Sequence, residues 1–510
     1  QLLSTKDYEN DFASTLAMPN GDLWVAWIGY HGHRDTVFAR RISNGVWTEA
    51  EKVDSGDIAS TRIGRDRNGG VWVFWSQQVD GNFDVYGRRF DGKTWGSRER
   101  LSEAPQPDID PATATDSDGN LWMAWQGFRN GKSDIFARSY DGSAWSPEER
   151  ISTSPANDWE PAMAADGAGR VYIAWDTYDK GNYDVIMRRH ENGQWSETIP
   201  VAATPRFEAH ASLACDKQNR LWAAWNFSGM QWGKDNGFLA LSKGTRIYQW
   251  RAMGVAVYAN GIWQEPAADI NTSLPAELQD HDDLPTLAGD GSGRMWVFFR
   301  HRLAKFRDVP SNAPAHRAAW EIYATAYDGD RWSTPIRFPM SQGRTDMRAG
   351  FTTNSQGQIF AAWPMDNRDF EEFLFQHADV YAGRLPLPEG AAAGAKLTAY
   401  AQPEMKTWDV HAHEKQDLSR VRGYTIAEGG KTYHIYRGDT HRHSEFSMDG
   451  NNDGSIQETY RYAIDAASLD YLGLTDHNGD GGPDVDYINW LEQQTADLYF
   501  LPRTFTSLFA

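Results

Sequence analysis

Two short motifs near the C-terminus carry residue types that bind metal ions. Residues 438–450 read GDTHRHSEFSMDG, and residues 472–477 read LGLTDH. Side chains alternate along a strand, so the pair His441 and His443 presents both imidazoles on one face. Asp449 lies on a polar turn that can fold back toward this pair. The apolar run before Asp476 and His477 predicts a second strand ending nearby, and hence a site built from imidazoles and carboxylates.

These motifs resemble the start of the PHP (polymerase and histidinol phosphatase) superfamily of metal-dependent phosphoesterases, over about residues 430–510. The likeness is greatest to an extracytoplasmic branch that opens with G-D-x-H-x-H. It implies two or three divalent ions (Zn, Mn or Fe) that activate water and polarise a phosphoryl oxygen. The implied roles are metal ligation by His441, His443, Asp449 and His477, support of the catalytic site by Asp476, and fixing of an imidazole tautomer by Asp439.

The PHP pattern is incomplete in this chain. The family adds a Glu, further His residues and a late Asp-x-His pair, whereas no His follows His477 before Ala510. Residues 405–510 are therefore expected to form only the first part of a PHP-type (β/α)7 barrel, with strands at RGDTHRHS, LDYLGLTDH and FTSLFA and helices at IQETYRYAIDAA and VDYINWLEQQTAD. The explanations are a chain cut short or cleaved after Ala510, a separate chain that completes the domain, or a domain that has decayed, and we favour truncation or cleavage.

Other interpretations of the same residues stay open. DGNNDG at 449–454 and DHNGDG at 476–481 both fit the front of a calcium loop, D-x-N-x-D-G. Tyr460 and Tyr487 stand where the bidentate Glu belongs, so calcium at Asp476, Asn478 and Asp480 is the minor alternative. A third interpretation assigns the histidines only to capping and turn hydrogen bonds.

An aromatic strand recurs seven times in the first 390 residues, at a spacing near fifty. Such a period, with turn signals inside each unit, is typical of a β-propeller of four-stranded blades. The units resemble sialidase-type and TolB-type repeats. The predicted class is mainly β: a seven-bladed propeller over 1–384, closed by residues 1–5 pairing near 380–383, then a linker at 385–404. The repeated strands are LWVAW (23–27), VWVFW (71–75), LWMAW (121–125), VYIAW (171–175), LWAAW (221–225), MWVFF (295–299) and IFAAW (359–363).

Charged residues of the propeller suggest two further features. An acid precedes the first strand of each unit, and it either joins a cation-binding ring or, as repetition favours, bonds backbone amides between blades. These acids are Asp11, Asp57, Asp110, Glu160, Glu208, Asp283 and Asp346. An insertion in the sixth unit is basic and suits a phosphate, sulfate or carboxylate, or salt bridges to the C-terminal part. Its basic residues are Arg300, Arg302, Lys305, Arg307 and Arg317.

Composition excludes several classes of protein. The net charge of −20 argues against nucleic-acid binding, and no apolar run is long enough for a membrane span. The single Cys215 excludes an internal disulfide framework, and we expect it to be buried. A start at Gln1 suggests a mature chain whose leader was removed, so we expect a periplasmic or secreted protein.

Three functions follow from the sequence. The favoured one is a metal-dependent hydrolase, a phosphoesterase, whose propeller binds a small-molecule or polymeric anionic substrate or a partner. The second is a non-enzymatic propeller that binds an anionic polymer or protein. The third is a polysaccharide-active enzyme with its site in the propeller.

Overall fold

The computed structural model describes most of the chain, and everything said below concerns those residues. They are 1–43, 45–234, 244–248, 250–302, 320–343, 348–367, 377–400, 402–407, 410–447, 454–476 and 485–509.

Short antiparallel strands follow one another through the first 202 residues. Each Trp-containing strand is buried along nearly its whole length, because blades pack on both of its faces. The strands are β1 (Glu9–Ala17), β2 (Leu23–Tyr30), β3 (Asp35–Ser43), β4 (Val46–Trp47), β5 (Glu51–Arg65), β6 (Val71–Val79), β7 (Asn82–Phe90), β8 (Glu99–Arg100), β9 (Asp108–Thr115), β10 (Leu121–Arg129), β11 (Lys132–Tyr140), β12 (Glu149–Arg150), β13 (Asp158–Ala165), β14 (Val171–Thr177), β15 (Asp184–Glu191), β16 (Gln194–Trp195) and β17 (Ile199–Ala202).

The same pattern continues to residue 399 with one short helix inserted. The elements are β18 (Arg206–Cys215), β19 (Leu221–Met230), β20 (Ala252–Ala259), β21 (Ile262–Pro266), α1 (Ile270–Ser273), a 3-10 turn (Ala276–Leu278), β22 (Asp282–Gly289), β23 (Met295–Arg302), β24 (Trp320–Asp328), β25 (Arg331–Trp332), β26 (Ile336–Arg337), β27 (Gly350–Thr353), β28 (Ile359–Met365), β29 (Asp379–Arg384) and β30 (Leu397–Ala399).

The prediction of seven separate four-stranded blades is wrong in its count. Five sheets have four or more strands: one of eight, one of four and three of five; β27–β29 form a sixth sheet of only three. The eight-stranded sheet arises because β5 is continuous, pairing with β3 at its start and with β6 towards its end. The first two sequence repeats therefore share one sheet. The mainly β class and the propeller arrangement are confirmed.

The two ends of the propeller region are hydrogen-bonded to each other. Leu3 N donates to Val380 O at 2.8 Å, and Ala382 N donates to Gln1 O at 2.8 Å. Leu3 is 1% exposed and packs in an apolar cluster with Val380 and Ala382. The N-terminal residues thus cover an edge of β29 that would otherwise be unpaired.

Part of the expected linker belongs to the propeller. β30 pairs antiparallel with β21, so that Thr398 lies opposite Glu265. Tyr327 accepts a hydrogen bond from Ala267 N and donates one to Lys396 O, which fixes this stretch to the neighbouring sheet. Residues 396–399 are therefore not a solvated tether.

The C-terminal part is a small α/β unit. Three parallel strands lie in chain order, and a helical segment joins each to the next. This alternation agrees with the strands and helices that the sequence predicts. The elements are α2 (Glu414–Gly423), β31 (Thr425–Glu428), β32 (Lys431–His434), β33 (Gly438–Arg442), α3 (Ile456–Arg461), a π-helical turn (Tyr462–Ala466), β34 (Tyr471–Leu474), α4 (Val485–Leu498) and β35 (Thr506–Phe509).

One apolar cluster joins this unit to the propeller. Trp159, Tyr183 and Phe207 of the propeller pack with Tyr460 and Tyr499, all nearly inaccessible to solvent. Burial of large aromatic side chains supplies most of the energy of such contacts. The C-terminal unit is therefore fixed on one end of the propeller. In the part of the chain that the structure describes, no helix is both long and apolar enough to be a membrane span.

Candidate functional site in the propeller channel

A repeated backbone distortion aims side chains at one end of the propeller channel. Six inner strands carry a β-bulge, and in each a non-glycine residue has positive φ, a conformation that such residues rarely adopt. Bulges re-aim the side chain they carry and are common beside functional sites. The residues are Phe12 (57°), Ser60 (48°), Asp110 (53°), Glu160 (48°), His210 (60°) and Leu284 (50°).

The positions of the bulges show that the acidic residues of the repeats are not all equivalent, contrary to the prediction from the sequence. His210, not Glu208, occupies the position of Asp110 and Glu160, at intervals of fifty residues. Glu208 instead aligns with Asp158, which accepts a hydrogen bond from a Trp indole one strand away. The seven acids of the sequence analysis therefore do not form one ring, and Asp346 lies outside the described residues.

The bulge residues Glu160 and His210 contact helix α3. His210 lies between two carboxylates: its Nδ1 is 2.7 Å from Glu160 Oε2, and its Nε2 is 2.9 Å from Glu458 Oε1. Arg461 Nη1 donates to Glu160 at 2.7 Å, and its Nη2 donates to Asp176 at 2.9 Å. Five charged groups of the propeller and α3, three carboxylates and two cations, are thus paired in a buried site.

The charges of this cluster fix its protonation. Burial favours the neutral form of Glu160, but the charges of His210 and Arg461 outweigh it and hold the pKa of Glu160 below its usual range. Burial alone would lower the pKa of His210, yet Glu160 and Glu458 raise it to about 9. Glu160 is therefore an ionised carboxylate and His210 an imidazolium at neutral pH.

This cluster includes a group of three side chains, found among the described residues, whose ligand atoms lie close enough together to hold a metal ion. One ligand atom from each of Glu160, Asp176 and His210 lies within 4.8 Å of the others. Arg461 bonds both carboxylates, so its guanidinium supplies the positive charge that an ion would bring. The arrangement serves as an electrostatic contact between propeller and C-terminal unit.

A second buried network lies beside the first. Asp283 binds Arg251 Nη1 at 3.1 Å and Arg300 Nη2 at 2.9 Å. The same two arginines reach the C-terminal unit, where Arg251 Nη2 donates to Glu458 at 2.6 Å and Arg300 Nη1 to Glu445 at 3.3 Å. Arg300 is 3% exposed. Arg300 therefore forms a salt bridge to the C-terminal part, which is one of the two roles that the sequence suggested for these basic residues.

Two other arginines face cavities in the channel. Arg62 and Arg348 line both a cavity of about 80 Å³ under α3 and a cavity of about 410 Å³ along the inner strands. Arg62 Nη1 donates to Thr61 O, and Arg348 Nη1 donates to Ala211 O. Nε and Nη2 of Arg348 are buried and have no acceptor among the described residues. The guanidinium of Arg348 therefore has N–H donors in the channel that no described residue accepts from.

The channel arginines influence Asp110, which lines the smaller cavity. Burial, and then the charge of Glu160, raise the pKa of Asp110 to about 6, although Arg62 opposes them. Burial lowers the pKa of Arg62. The charge of Asp110 opposes this shift, and the charge of Arg348 increases it. Two neighbouring carboxyls, Asp110 and Glu160, thus have pKa values pushed in opposite directions.

The described residues among the predicted metal ligands lie in the C-terminal unit, on β33 or just after it. The rings of His441 and His443 have centroids 5.2 Å apart, close enough to share an ion. Asp439 accepts a hydrogen bond from the backbone N of His441 at 2.9 Å, instead of holding an imidazole. Asp476 accepts hydrogen bonds from the backbone N and hydroxyl of Ser444. Among the described residues these histidines are not joined by a third ligand atom.

Several predicted site residues fall outside the described part of the chain. They are Asp449, His477, Asn478, Asp480, Lys305, Arg307 and Arg317. Arg302 is described, and its Nη1 donates to Tyr248 O at 3.4 Å. Sequence reasoning missed Arg62, His210 and Arg348. The one available signal was the fifty-residue interval from Asp110 to Glu160 to His210.

Known proteins resemble this chain in fold alone. No family model matches it, and no curated protein matches it. A PL25 ulvan lyase bound to -[GlcA(1-4)Rha3S]- is 11% identical with a TM-score of 0.46, covering 74% of this chain and 95% of its own. Polysaccharide lyase Uly1 is 9% identical with a TM-score of 0.44, covering 72% and 88%. The Hadza microbial sialidase Hz136 is 12% identical with a TM-score of 0.39, covering 72% and 77%.

The expected membership of the PHP superfamily is contradicted. No family model matches this chain, so none of the PHP superfamily does. The described C-terminal residues form a three-stranded parallel sheet and not a barrel. Two His-containing motifs matched the family by local spacing, which does not specify what surrounds them.

Proposed function

We propose that this protein binds an anionic polysaccharide in the propeller channel and cleaves its glycosidic bonds there. The observation that carries this proposal is the pair of channel arginines, because buried N–H groups of Arg348 lack an acceptor among the described residues. A buried guanidinium with free donors matches the planar oxygens of a carboxylate or sulfate. An anion between Arg62 and Arg348 would also relieve their mutual repulsion.

The rest of the channel suits a sugar. Side-chain hydroxyls of Ser14, Thr15 and Thr113 line the larger cavity together with the arginines. Its volume of about 410 Å³ lies within the range of about 300–1,000 Å³ that is usual for small-molecule sites. Ser455 and Glu458, at the start of α3, cover the end under the C-terminal unit. We therefore infer that the end of a polysaccharide chain, rather than an internal unit, enters the channel.

Asp110 supplies the chemistry in this proposal. Hydrolysis of a glycosidic bond requires a proton for the leaving oxygen and a water molecule, whose hydroxyl bonds to the anomeric carbon and whose proton restores the acid. A carboxyl with a pKa of about 6 retains its proton in slightly acid solution, while Glu160 stays ionised. Divergent pKa values of neighbouring carboxyls are the pattern of an acid and a charge-stabilising partner. Asp110 is therefore the proposed proton donor, and Arg62 and Arg348 hold the acidic group of the sugar.

The experiment measures binding and cleavage separately. Purified protein is titrated with polygalacturonate, alginate and carrageenan, with neutral starch as the control, and release of reducing ends is followed. Arg348→Gln should weaken binding of the preferred anionic polymer about 10- to 100-fold, the value of a charged hydrogen bond. The exposed Arg331→Gln should bind as the parent does. Binding of no anionic polymer, or unchanged binding by Arg348→Gln, would overturn the proposal.

Asp110→Asn tests the chemical step. It should lower cleavage by about 10²- to 10⁴-fold, the usual contribution of a general acid, and leave the dissociation constant near that of the parent. Binding without cleavage by the parent itself would support the second candidate, a non-enzymatic binding propeller. The closure of one channel end by α3 favours that candidate.

Two expectations from the sequence stay predictions. His441 and His443 are expected to bind a divalent ion such as Zn, Mn or Fe, or calcium nearby, and metal analysis of the dialysed protein tests this. A periplasmic or secreted location is the other, and cell fractionation tests it.

A further inference from the structure

A cavity beside the fifth repeat breaks the pattern of the other repeats. Trp225 ends the LWAAW motif, where other repeats also carry a Trp. Those indoles all donate hydrogen bonds: Trp27 to Asn10, Trp75 to Gln77, Trp125 to Asp108, Trp175 to Asp158 and Trp363 to Met340 O. For Trp225, 4% exposed, no described residue accepts a hydrogen bond from Nε1. Its indole instead lines a cavity of about 340 Å³.

Gly254 determines how Trp225 packs beside the cavity. It lies opposite Trp225 across the β19–β20 pair. A Cβ at Gly254 would come within 2.2 Å of Trp225 Cε2, so only glycine allows the indole to lie against this strand. The equivalent partners in the other repeats are large: Phe38, Tyr86, Phe136, Ile186 and Tyr381. In the fifth repeat the indole of Trp225 takes the place of such a side chain, and Gly254 lines the cavity beside it.

The walls of the cavity are aromatic and acidic. Phe227, Trp332 and Tyr400 line it with Trp225, and Tyr400 comes from the segment that follows β30. Three carboxyl groups, those of Glu208, Glu265 and Asp269, also line it, against one basic side chain, Arg206. With Glu265, Asp269 and Arg206 ionised, these groups carry a net charge of −1. Burial raises the pKa of Glu208 to about 7, so the net charge approaches −2 only above neutral pH.

Hydrogen bonds hold two of the carboxyl groups in place, and each carboxylate oxygen can accept a further bond through its second lone pair. Glu208 accepts hydrogen bonds from Thr204 N at 2.7 Å and Thr204 Oγ1 at 2.6 Å, one on each oxygen. Asp269 caps α1 by accepting from Thr272 N at 2.8 Å. Arg206 already uses the aromatic wall, with its Cζ 5.2 Å from the centroid of Phe227. This contact shows that the wall accepts a cation on a ring face.

We propose that this cavity binds the ammonium group of a small organic cation. Ring faces attract a cation within about 6 Å, and a surplus of carboxylates compensates its charge. A cavity of about 340 Å³ admits a molecule of monosaccharide size. Two classes of molecule carry such a group: amino sugars, and choline-type molecules with a quaternary ammonium. The site is separate from the channel and does not depend on the function proposed there.

Calorimetry of the full chain tests this site. Glucosamine and choline are the two probes, and N-acetylglucosamine is the neutral control of matched shape. At least one ammonium probe should bind with a stoichiometry of one, and the neutral sugar should not. Binding of glucosamine alone identifies an amino-sugar site, and binding of choline identifies a quaternary-ammonium site. If neither probe binds, or if N-acetylglucosamine binds as tightly as glucosamine, the proposal fails.

Two variants locate the binding in the cavity. Glu265→Gln removes one charge without changing shape and should raise the dissociation constant about tenfold, which is about 1.4 kcal/mol. Tyr400→Ala removes one ring face and should weaken binding at least threefold. Glu197→Gln, an exposed acid outside the cavity, is the matched control. Unchanged binding by Glu265→Gln would overturn the assignment even if Tyr400→Ala did not fold.

Discussion

At the scale of single residues, Asp35 shows how burial controls a charge at the contact between propeller and C-terminal unit. Asp35 Oδ2 accepts hydrogen bonds from Ile58 N at 2.9 Å, Trp490 Nε1 at 3.1 Å and Gln494 Nε2 at 3.0 Å. Burial nevertheless dominates and raises the pKa of Asp35 to about 8, with a further increase from the nearby Asp57. The carboxyl is therefore mainly protonated in the folded protein at neutral pH.

The pH dependence of stability follows from this shift. The pKa of about 8 in the folded protein exceeds the ordinary value of 3.8, so the folded state binds the extra proton. This contribution to the free energy of unfolding is fully present below pH about 4 and is lost as the pH rises through 8. Asp35→Asn cannot lose a proton. It should gain stability relative to the parent between pH 5 and pH 8, on the order of 4 kcal/mol, because each pH unit between the two pKa values contributes about 1.4 kcal/mol.

Denaturant unfolding of both proteins at the two pH values measures this difference. Asp118→Asn, which changes an exposed aspartate in a turn, should follow the parent at both pH values. If the free energies of unfolding of Asp35→Asn and the parent differed by the same amount at pH 5 and pH 8, this would contradict the protonated state of Asp35.

At the scale of elements, α3 joins the two parts of the molecule through Arg461. This side chain is 2% exposed and bonds Glu160 and Asp176 of two inner-blade strands. Arg461→Met keeps the apolar stem but leaves both carboxylates without their cation. Breaking a buried ion pair in this way costs about 3–5 kcal/mol. Arg420→Met on α2, whose pair with Asp417 is exposed, should cost less than about 1 kcal/mol. Equal melting temperatures for the two variants would show that the α3 contact contributes little.

The elements themselves were largely predictable, whereas their contacts were not. The Trp-containing strands, and the helices that became α3 and α4, follow from patterns within ten to fifteen residues. The continuity of β5 depends on two repeats sharing a sheet, which no local pattern encodes. The contact of Arg461 with Glu160 spans 301 residues and could not be inferred from either motif alone. The same limit explains why a short H-x-H motif indicated a family that the whole chain does not support.

At the scale of the whole molecule, the fold buries positive charges at particular places in a protein whose net charge is −20. Arginines are concentrated in the channel and under α3, where burial strengthens their field. In the proposed function, the net negative charge would disfavour an anionic polymer elsewhere on the protein, whereas Arg62 and Arg348 would attract it at the channel. Selectivity for the channel therefore follows from the charge distribution, and the proposed binding should weaken as salt is added.

Closure of the propeller depends on very few residues, so it can be tested by one substitution. Leu3 is 1% exposed, its backbone N bonds Val380 O, and its side chain packs against the neighbouring sheets. Leu3→Ala keeps the hydrogen bond and removes buried apolar volume, which costs about 2–5 kcal/mol in a core. Val46→Ala, at a position 69% exposed, should change the free energy of unfolding by less than about 0.5 kcal/mol. Because this pairing joins residue 3 to residue 380, its loss should destabilise the whole ring in one transition. A separate early transition that releases only the N-terminal residues, with the main transition unchanged, would show that the ring does not need this strand.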